Sequence, residues 1–198
     1  MIKFLNISQE EPYLIFKSKY DDAINANQKN IEAISIASFD REKNEVNSRF
    51  VNLKFIDCDR FIFFSNYNSP KSQAFDSHNQ IAVNIYWSNI NLQIRMRAKI
   101  TKKEKSYNDA YFRKRSPDKN ALAISSYQSK TISSFDSVVK NYNQAKKDKD
   151  LKKCPEYWGG FEFKPYEIEF WEGNDFRLNK RNLYQLEDEN WHHHILEP

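Results

Sequence analysis

The sequence predicts an α+β fold built around an antiparallel β-barrel. Two observations carry this. The segments with strand character come first, helical segments are inserted after them, and strands return at the end, an order that fits an α+β chain rather than a βαβ series. The stretch NLQIRMRAKITK at 91–102 alternates cleanly. Gln93, Arg95, Arg97 and Lys99 share one face, and Ile94, Met96, Ala98 and Ile100 share the other, as expected of an antiparallel strand with one side turned away from the core.

Taken in order, residues 1–20 carry Glu11-Pro12 and several aromatics and predict an arm or short helix, and 21–30 a helix that Asp21 or Asp22 caps. IEAISIASF at 31–39 predicts a largely buried strand. VNSRFVNLKF at 46–55 and FIFFS at 61–65 predict a hairpin across a short polar link. Pro70 at a first helical position, with Ser69 before it, predicts a helix over 71–77. Further strands are expected at 80–87 and 91–102, and helices at 103–115, 121–127 and 135–147, the last after Ser133-Ser134. A charged loop is expected at 146–153. The closing strands are expected at 160–170, interrupted at Lys164-Pro165, then at 183–186 and 191–196. The total is about seven strands and three or four helices.

The chain has 198 residues, long enough for one domain with its own core. Only 39% of residues are hydrophobic, but 15% are aromatic, so large rings must build the interior. The net charge of +4 is spread among acidic residues, which argues against a nucleic-acid stripe and leaves room for a small anionic ligand. The three glycines stand at 159, 160 and 173, so neither a GxGxxG nor a Walker A loop is present. Cys58 and Cys154 form no metal-spaced or disulfide pattern, and His192–His194 read as part of a terminal strand rather than as a metal site. No secretory signal or membrane-length apolar run is seen. A cytoplasmic protein is expected, with no nucleic-acid or membrane partner.

Four constellations are candidates for chemistry. In SRFVNLK, Arg49 and Lys54 lie on opposite faces of a strand unless a bulge intervenes; they are either solvent-facing tips or anion contacts on two sides of a ligand. Tyr111 and Arg115 share a helix face at i, i+4; taken alone the pair reads first as a solvated face, though a neutral donor beside a guanidinium fork suits a phosphate. Lys119 lies one turn on, beyond Pro117. In SSYQSK, Gln128 and Ser129 offer small polar donors. Residues 154–181, CPEYWGGFEFKPYEIEFWEGNDFRLNKR, hold every glycine, Trp158 and Trp171, and Arg177 and Arg181. This stretch is either a site wall or a hairpin that closes the core.

Together SRFVNLK, FFSNYNSPK, IYW with NLQIR, DAYFRKR, SSYQS, PEYWGGFEFKPYEIEFWEG and RLNKR resemble the pyridoxamine/pyridoxine 5'-phosphate oxidase family, from about residue 30 to Pro198. The PxxWGG…IEFWxG…RLxxR run is the most specific part. The resemblance implies an antiparallel split β-barrel of six to eight strands with flanking helices. It also implies a homodimer with FMN at the subunit interface, and a C-terminal segment, 154–198, that serves dimerisation and walls the site. FMN contacts are implied at Arg49, Phe50, Val51, Lys54, Phe64, Ser65, Lys71, Gln93, Gln128, Ser129, Trp171 and Arg181. Substrate contacts are implied at Lys54, Tyr111, Arg115, Lys119, Arg177 and Asn179, with Arg177 and Asn179 in the catalytic positions. The implied reaction oxidises pyridoxamine or pyridoxine 5'-phosphate to the aldehyde, with dioxygen as final acceptor and hydrogen peroxide released. The alternatives are a related flavin oxidase with another substrate, as in phenazine biosynthesis, and a non-catalytic FMN- or pyridoxal-phosphate-binding protein.

The sequence departs from the family pattern at five places. Pro70 stands where Arg is usual, Phe64 where Tyr is, Lys119 where Ser is, and Leu122-Ala123-Ile124 where GAW is. Asn179 replaces a histidine, so the position keeps hydrogen bonding but cannot titrate near neutrality.

Overall fold

The structure, a computed structural model, describes all residues from Met1 to Pro198. Nine strands and five α-helices follow one another as β1 (Lys3–Leu5), α1 (Glu11–Asn25), β2 (Ala33–Asp40), β3 (Glu45–Asp57), β4 (Arg60–Asn66), α2 (Pro70–Ser77), β5 (Gln80–Trp87), β6 (Leu92–Lys102), α3 (Lys105–Lys114), α4 (Pro117–Ser125), α5 (Phe135–Asp148), β7 (Trp158–Glu172), β8 (Lys180–Glu187) and β9 (Asn190–Ile195). Neighbouring strands run β3-β2-β5-β6-β7, and β4 pairs with both β7 and β3. That closes a six-stranded antiparallel barrel. β8 and β9 extend it beyond β7, and β1 lies parallel to β3. Closure removes the free edges that an open sheet would leave unpaired.

Aromatics fill the barrel, as the composition requires. Phe61 stacks on Phe163 at 5.1 Å and Phe63 on Phe161 at 5.5 Å, all fully buried. The alternation expected in β6 is observed, with Ile94, Met96, Ala98 and Ile100 inside. On the outer face Arg95 and Arg97 pair with Glu169 and Glu167 of β7.

The N-terminal expectation is corrected. The helix starts ten residues earlier than predicted and ends at Asn25, so Asp21 and Asp22 lie within it and cap nothing. Its buried face, Tyr13, Phe16, Tyr20 and Ala23, follows helical spacing and packs on the barrel mouth, with Phe16 5.2 Å from Phe61 and 5.7 Å from Trp87. β1 was not foreseen as a strand. The interruption at Lys164-Pro165 is a bulge within one continuous strand. Arg97 pairs with Glu167 and Ala98 with Pro165, leaving Tyr166 as the extra residue. α5 extends into the expected 146–153 loop, and Ser134 caps it by accepting from the Ser137 N–H at 3.1 Å.

Candidate active site

A second bulge builds the site. In the β3–β4 ladder Leu53 opposes Phe63 and Phe55 opposes Ile62, so Lys54 is the unpaired residue. Leu53 and Ile56 therefore both point inward, at 0% and 1% exposure, while Lys54 and Phe55 both line a cavity of about 890 Å³. One inserted residue thus turns Lys54 to the cavity.

This cavity is lined by Phe50, Val51, Lys54, Phe64, Ser65, Lys71, Tyr111, Arg115, Lys119 and Gln128, all expected at the site. It is also lined by residues that the sequence reading passed over, notably Phe55, Tyr107, Lys114, Ser116 and Trp158. Trp158 was noted only as part of the wall, although its place beside the glycine pair is the signal for a ring at a close approach. Gly159 has no room for a Cβ, which would stand 2.2 Å from the Tyr67 hydroxyl oxygen and 2.4 Å from Asn108 Nδ2. The cavity wall is an aromatic stack. Phe64 lies 3.9 Å from Tyr111 and 5.2 Å from Trp158, with the planes within 19° and 10°. Phe64 makes these contacts with its ring alone.

The charge pattern is one-sided. Lys3, Lys54, Lys71, Lys114, Arg115 and Lys119 line the cavity, and no carboxylate does. None of these six forms an ion pair, whereas Arg95, Arg97 and Arg181 on the sheet face are all paired. Unpaired, partly desolvated cations are costly in isolation and call for an anionic ligand.

At one end Lys71 is 9% exposed. Its ammonium donates to Ser69 Oγ at 2.9 Å and to Gln128 Oε1 at 3.0 Å. Burial, aided by the nearby Arg49 charge, pushes its pKa down to about 8. Ser69, expected as a helix cap, makes no capping bond; its hydroxyl donates to the Asn66 carbonyl at 2.7 Å and accepts from Lys71. Arg49 lines an adjoining cavity of about 460 Å³ with Phe50, Lys71, Gln128 and Ser129. Its guanidinium is anchored through one nitrogen to the Ile36 carbonyl (3.1 Å) and Ser38 Oγ (2.8 Å). Because Gln128 Oε1 accepts from both Ser65 (3.2 Å) and Lys71, its amide N–H groups remain for a ligand.

At the other end stand Lys54, Tyr111, Arg115 and Lys119. Burial lowers the Lys54 pKa, with the charges of Lys119 and Arg115 adding to it against Glu32. Burial likewise lowers that of Arg115 and raises that of Tyr111. The Arg115 guanidinium lies 4.3 Å over the Trp158 ring.

Gln93, Trp171, Arg177, Asn179 and Arg181 line neither cavity of the single chain. Gln93, Trp171 and Arg181 form one row across β6, β7 and β8, Gln93 opposite Trp171 and Trp171 opposite Arg181. Arg181 is held by the buried Glu169 at 2.8 Å. Arg177 projects from the β7–β8 loop with φ 60°. That loop is shaped by amides: Asn179 Oδ1 accepts from the Asn174 N–H (3.1 Å), and Asn174 Oδ1 from the Phe176 N–H (2.9 Å). Phe176 and Leu178 flank Arg177 at 84% and 70% exposure.

Comparison with known proteins places this geometry. A pyridoxine/pyridoxamine 5'-phosphate oxidase of Legionella pneumophila is 35% identical over 193 residues, covering 96% of this chain and 89% of that protein. The chain belongs to the pyridoxine/pyridoxamine 5'-phosphate oxidase family. The protein of that name from Pseudomonas syringae pv. syringae is 32% identical over 196 residues, with 96% and 90% covered. Residues 158–198 match the family's C-terminal dimerisation region. Among solved structures, PhzG from Burkholderia lata, in complex with tetrahydrophenazine-1-carboxylic acid, superposes with a TM-score of 0.88 at 23% identity over 96% of this chain and 93% of its own. A pyridoxamine 5'-phosphate oxidase-related, FMN-binding protein from Nostoc punctiforme does so with 0.73 at 14% identity over 92% and 97%. These two share the oxidase family's split barrel. No helix is long and apolar enough to cross a membrane.

Proposed function

We propose that this protein is an FMN-dependent oxidase that converts pyridoxamine 5'-phosphate, pyridoxine 5'-phosphate or both to pyridoxal 5'-phosphate. Dioxygen is consumed and hydrogen peroxide released; with the amine, one water is also consumed and ammonia leaves. The observation that carries this is a set of cations without ion-pair partners, Lys71 towards one end and Lys54, Arg115 and Lys119 towards the other, along one aromatic-walled cavity that no carboxylate lines. Such a cavity suits two phosphorylated aromatic molecules lying against each other.

The residues fit FMN. Lys71, buried and without a counter-ion, has the environment of a phosphate ligand, and Arg49, Ser129 and the free amide of Gln128 surround the same space. Pro70 leaves that end with one cation fewer than the family pattern. When bound, FMN supplies the two-electron acceptor that dioxygen regenerates. The chain's own work is positional. Lys54, Arg115 and Lys119 neutralise the substrate phosphate, Tyr111 adds a donor, and the Phe64–Tyr111–Trp158 stack excludes water and fixes the ring plane. The Gln93–Trp171–Arg181 row and the Arg177–Asn179 loop complete the site from a second copy in a homodimer. This is supported by their separation from the cavity within one chain, by the exposed Phe176 and Leu178, and by the dimerisation-region match. We place the activity in the cytoplasm, consistent with two free cysteines.

A second reading is a flavin oxidase for an aromatic carboxylate. Lys119 and Lys114 beside Arg115 favour it, since together they suit a carboxylate as well as a phosphate. One experiment separates the readings. Purified protein should be yellow, release FMN on denaturation, and form aldehyde and peroxide from either phosphorylated vitamer in oxygenated buffer. Bound flavin with no turnover of either vitamer refutes the first reading. Oxygen uptake with an aromatic carboxylate then supports the second, and pyridoxal 5'-phosphate binding without any oxygen uptake indicates a binding protein.

A further inference from the structure

We infer that Asn120 is a positioning residue for Arg115 and sets the affinity of the site for the substrate's anionic group. The inference rests on the reading that Arg115 meets that group.

Asn120 is 1% exposed, in the first turns of α4. Its Nδ2 donates to the Phe112 carbonyl at 2.8 Å and to the Leu151 carbonyl at 2.8 Å. Both amide hydrogens are thereby used, so the amide has one sensible orientation: turning it over would set its oxygen against two carbonyl oxygens. Oδ1 is left facing Arg115 and accepts from its NH1 at 3.2 Å. The two carbonyls come from the last turn of α3 and from the loop between α5 and β7. One side chain thus ties three segments together and presents a single acceptor to the guanidinium.

Arg115 needs such a tie. It sits just past the end of α3 in extended conformation and has no carboxylate partner. Its guanidinium carbon lies 4.3 Å from the centre of the Trp158 ring and 5.6 Å from that of Phe112. Contact with a ring face attracts a guanidinium but does not set the direction of its N–H groups; the bond to Asn120 does. Because the anchor is a neutral amide, the full positive charge remains for the ligand. A carboxylate there would hold the guanidinium but neutralise it.

The test uses the FMN-loaded enzyme and measures KM, kcat and the dissociation constant for pyridoxal 5'-phosphate. Asn120→Ala should raise KM and the dissociation constant about tenfold while kcat stays within about twofold, the pattern of lost uniform binding. Asn120→Asp keeps one acceptor towards Arg115 but adds a charge and sets a second oxygen against the Phe112 and Leu151 carbonyls, and should weaken binding further. In an Arg115→Ala background, Asn120→Ala should change neither constant, because the two residues act as one unit. Equal effects of Asn120→Ala with and without Arg115, or unchanged binding in both single Asn120 variants, overturn the inference. If Asn120→Ala does not fold, Asn120→Ser and its Arg115→Ala double mutant give the same comparison. If Arg115→Ala alone leaves KM and the dissociation constant untouched, the reading of Arg115 as the anion contact is what fails.

Discussion

Raising the pH should release FMN through Lys71. In the folded protein its ammonium is buried without a counter-ion, and its pKa falls from the usual 10.5 to about 8. At 1.36 kcal/mol per unit, holding the charge there costs about 3 kcal/mol. The sign differs between folding and binding. Between pH about 8 and 10.5 the unfolded chain keeps a proton that the folded chain has lost, so stability of the FMN-free protein rises with pH across that window. FMN binding selects the ammonium form. Its phosphate is dianionic above about pH 6, so affinity should be level from pH 6.5 to about 8. Above that it should fall by up to tenfold per unit, as the unliganded lysine deprotonates. Fluorescence titration of FMN from pH 6.5 to 9.5 measures this. Lys71→Met should bind FMN about 10- to 100-fold more weakly near neutrality, the loss of one charge-assisted bond, and show no bend near pH 8. Its FMN-free form should melt at a higher temperature at pH 7. A bend of the same size in Lys71→Met, or none in the wild type up to pH 9.5, would refute the assignment of Lys71 to the phosphate.

Arg177→Ala should cut kcat/KM by about 100-fold, in line with loss of one well-placed charged donor, while FMN content after gel filtration stays at wild-type level. Loss of FMN instead would mean that Arg177 serves the cofactor. Trp158→Leu removes the ring beneath Arg115 and should weaken pyridoxal 5'-phosphate binding by about 1 kcal/mol, read by calorimetry on the FMN-loaded enzyme. Gly159→Ala should lower stability by about 1–3 kcal/mol in urea melts, since its Cβ falls 2.2 Å from the Tyr67 hydroxyl oxygen; a neutral result would mean that the Tyr67–Asn108 pair moves aside freely.

Local periodicity showed most of the barrel. β5 spans the residues expected, and β6 buries the face its alternation indicated, because a period-two pattern is enforced by the pleat itself. The spacing of Tyr13, Phe16, Tyr20 and Ala23 marks the N-terminal helix, but Asp21-Asp22 offers a competing cap signal that places the expected start ten residues late. Bulges were not legible. The pleat gives Lys54 no special place; only its registration against β4, where Leu53 meets Phe63 and Phe55 meets Ile62, turns it to the cavity.

The sequence by itself determined the family, through the PEYWGG…IEFWEG…RLNKR run, and the kinds of groups available: cations, amides and rings. Which cations act together was decided by tertiary structure. Arg95, Arg97 and Arg181 look no different in sequence from Arg49 and Arg115, yet the first three pair with Glu169 and Glu167 across the sheet while the other two bond to neutral partners and form no ion pair. Pairing is a property of distance between strands and helices far apart in the chain, and an unpaired buried cation is visible only once those distances exist.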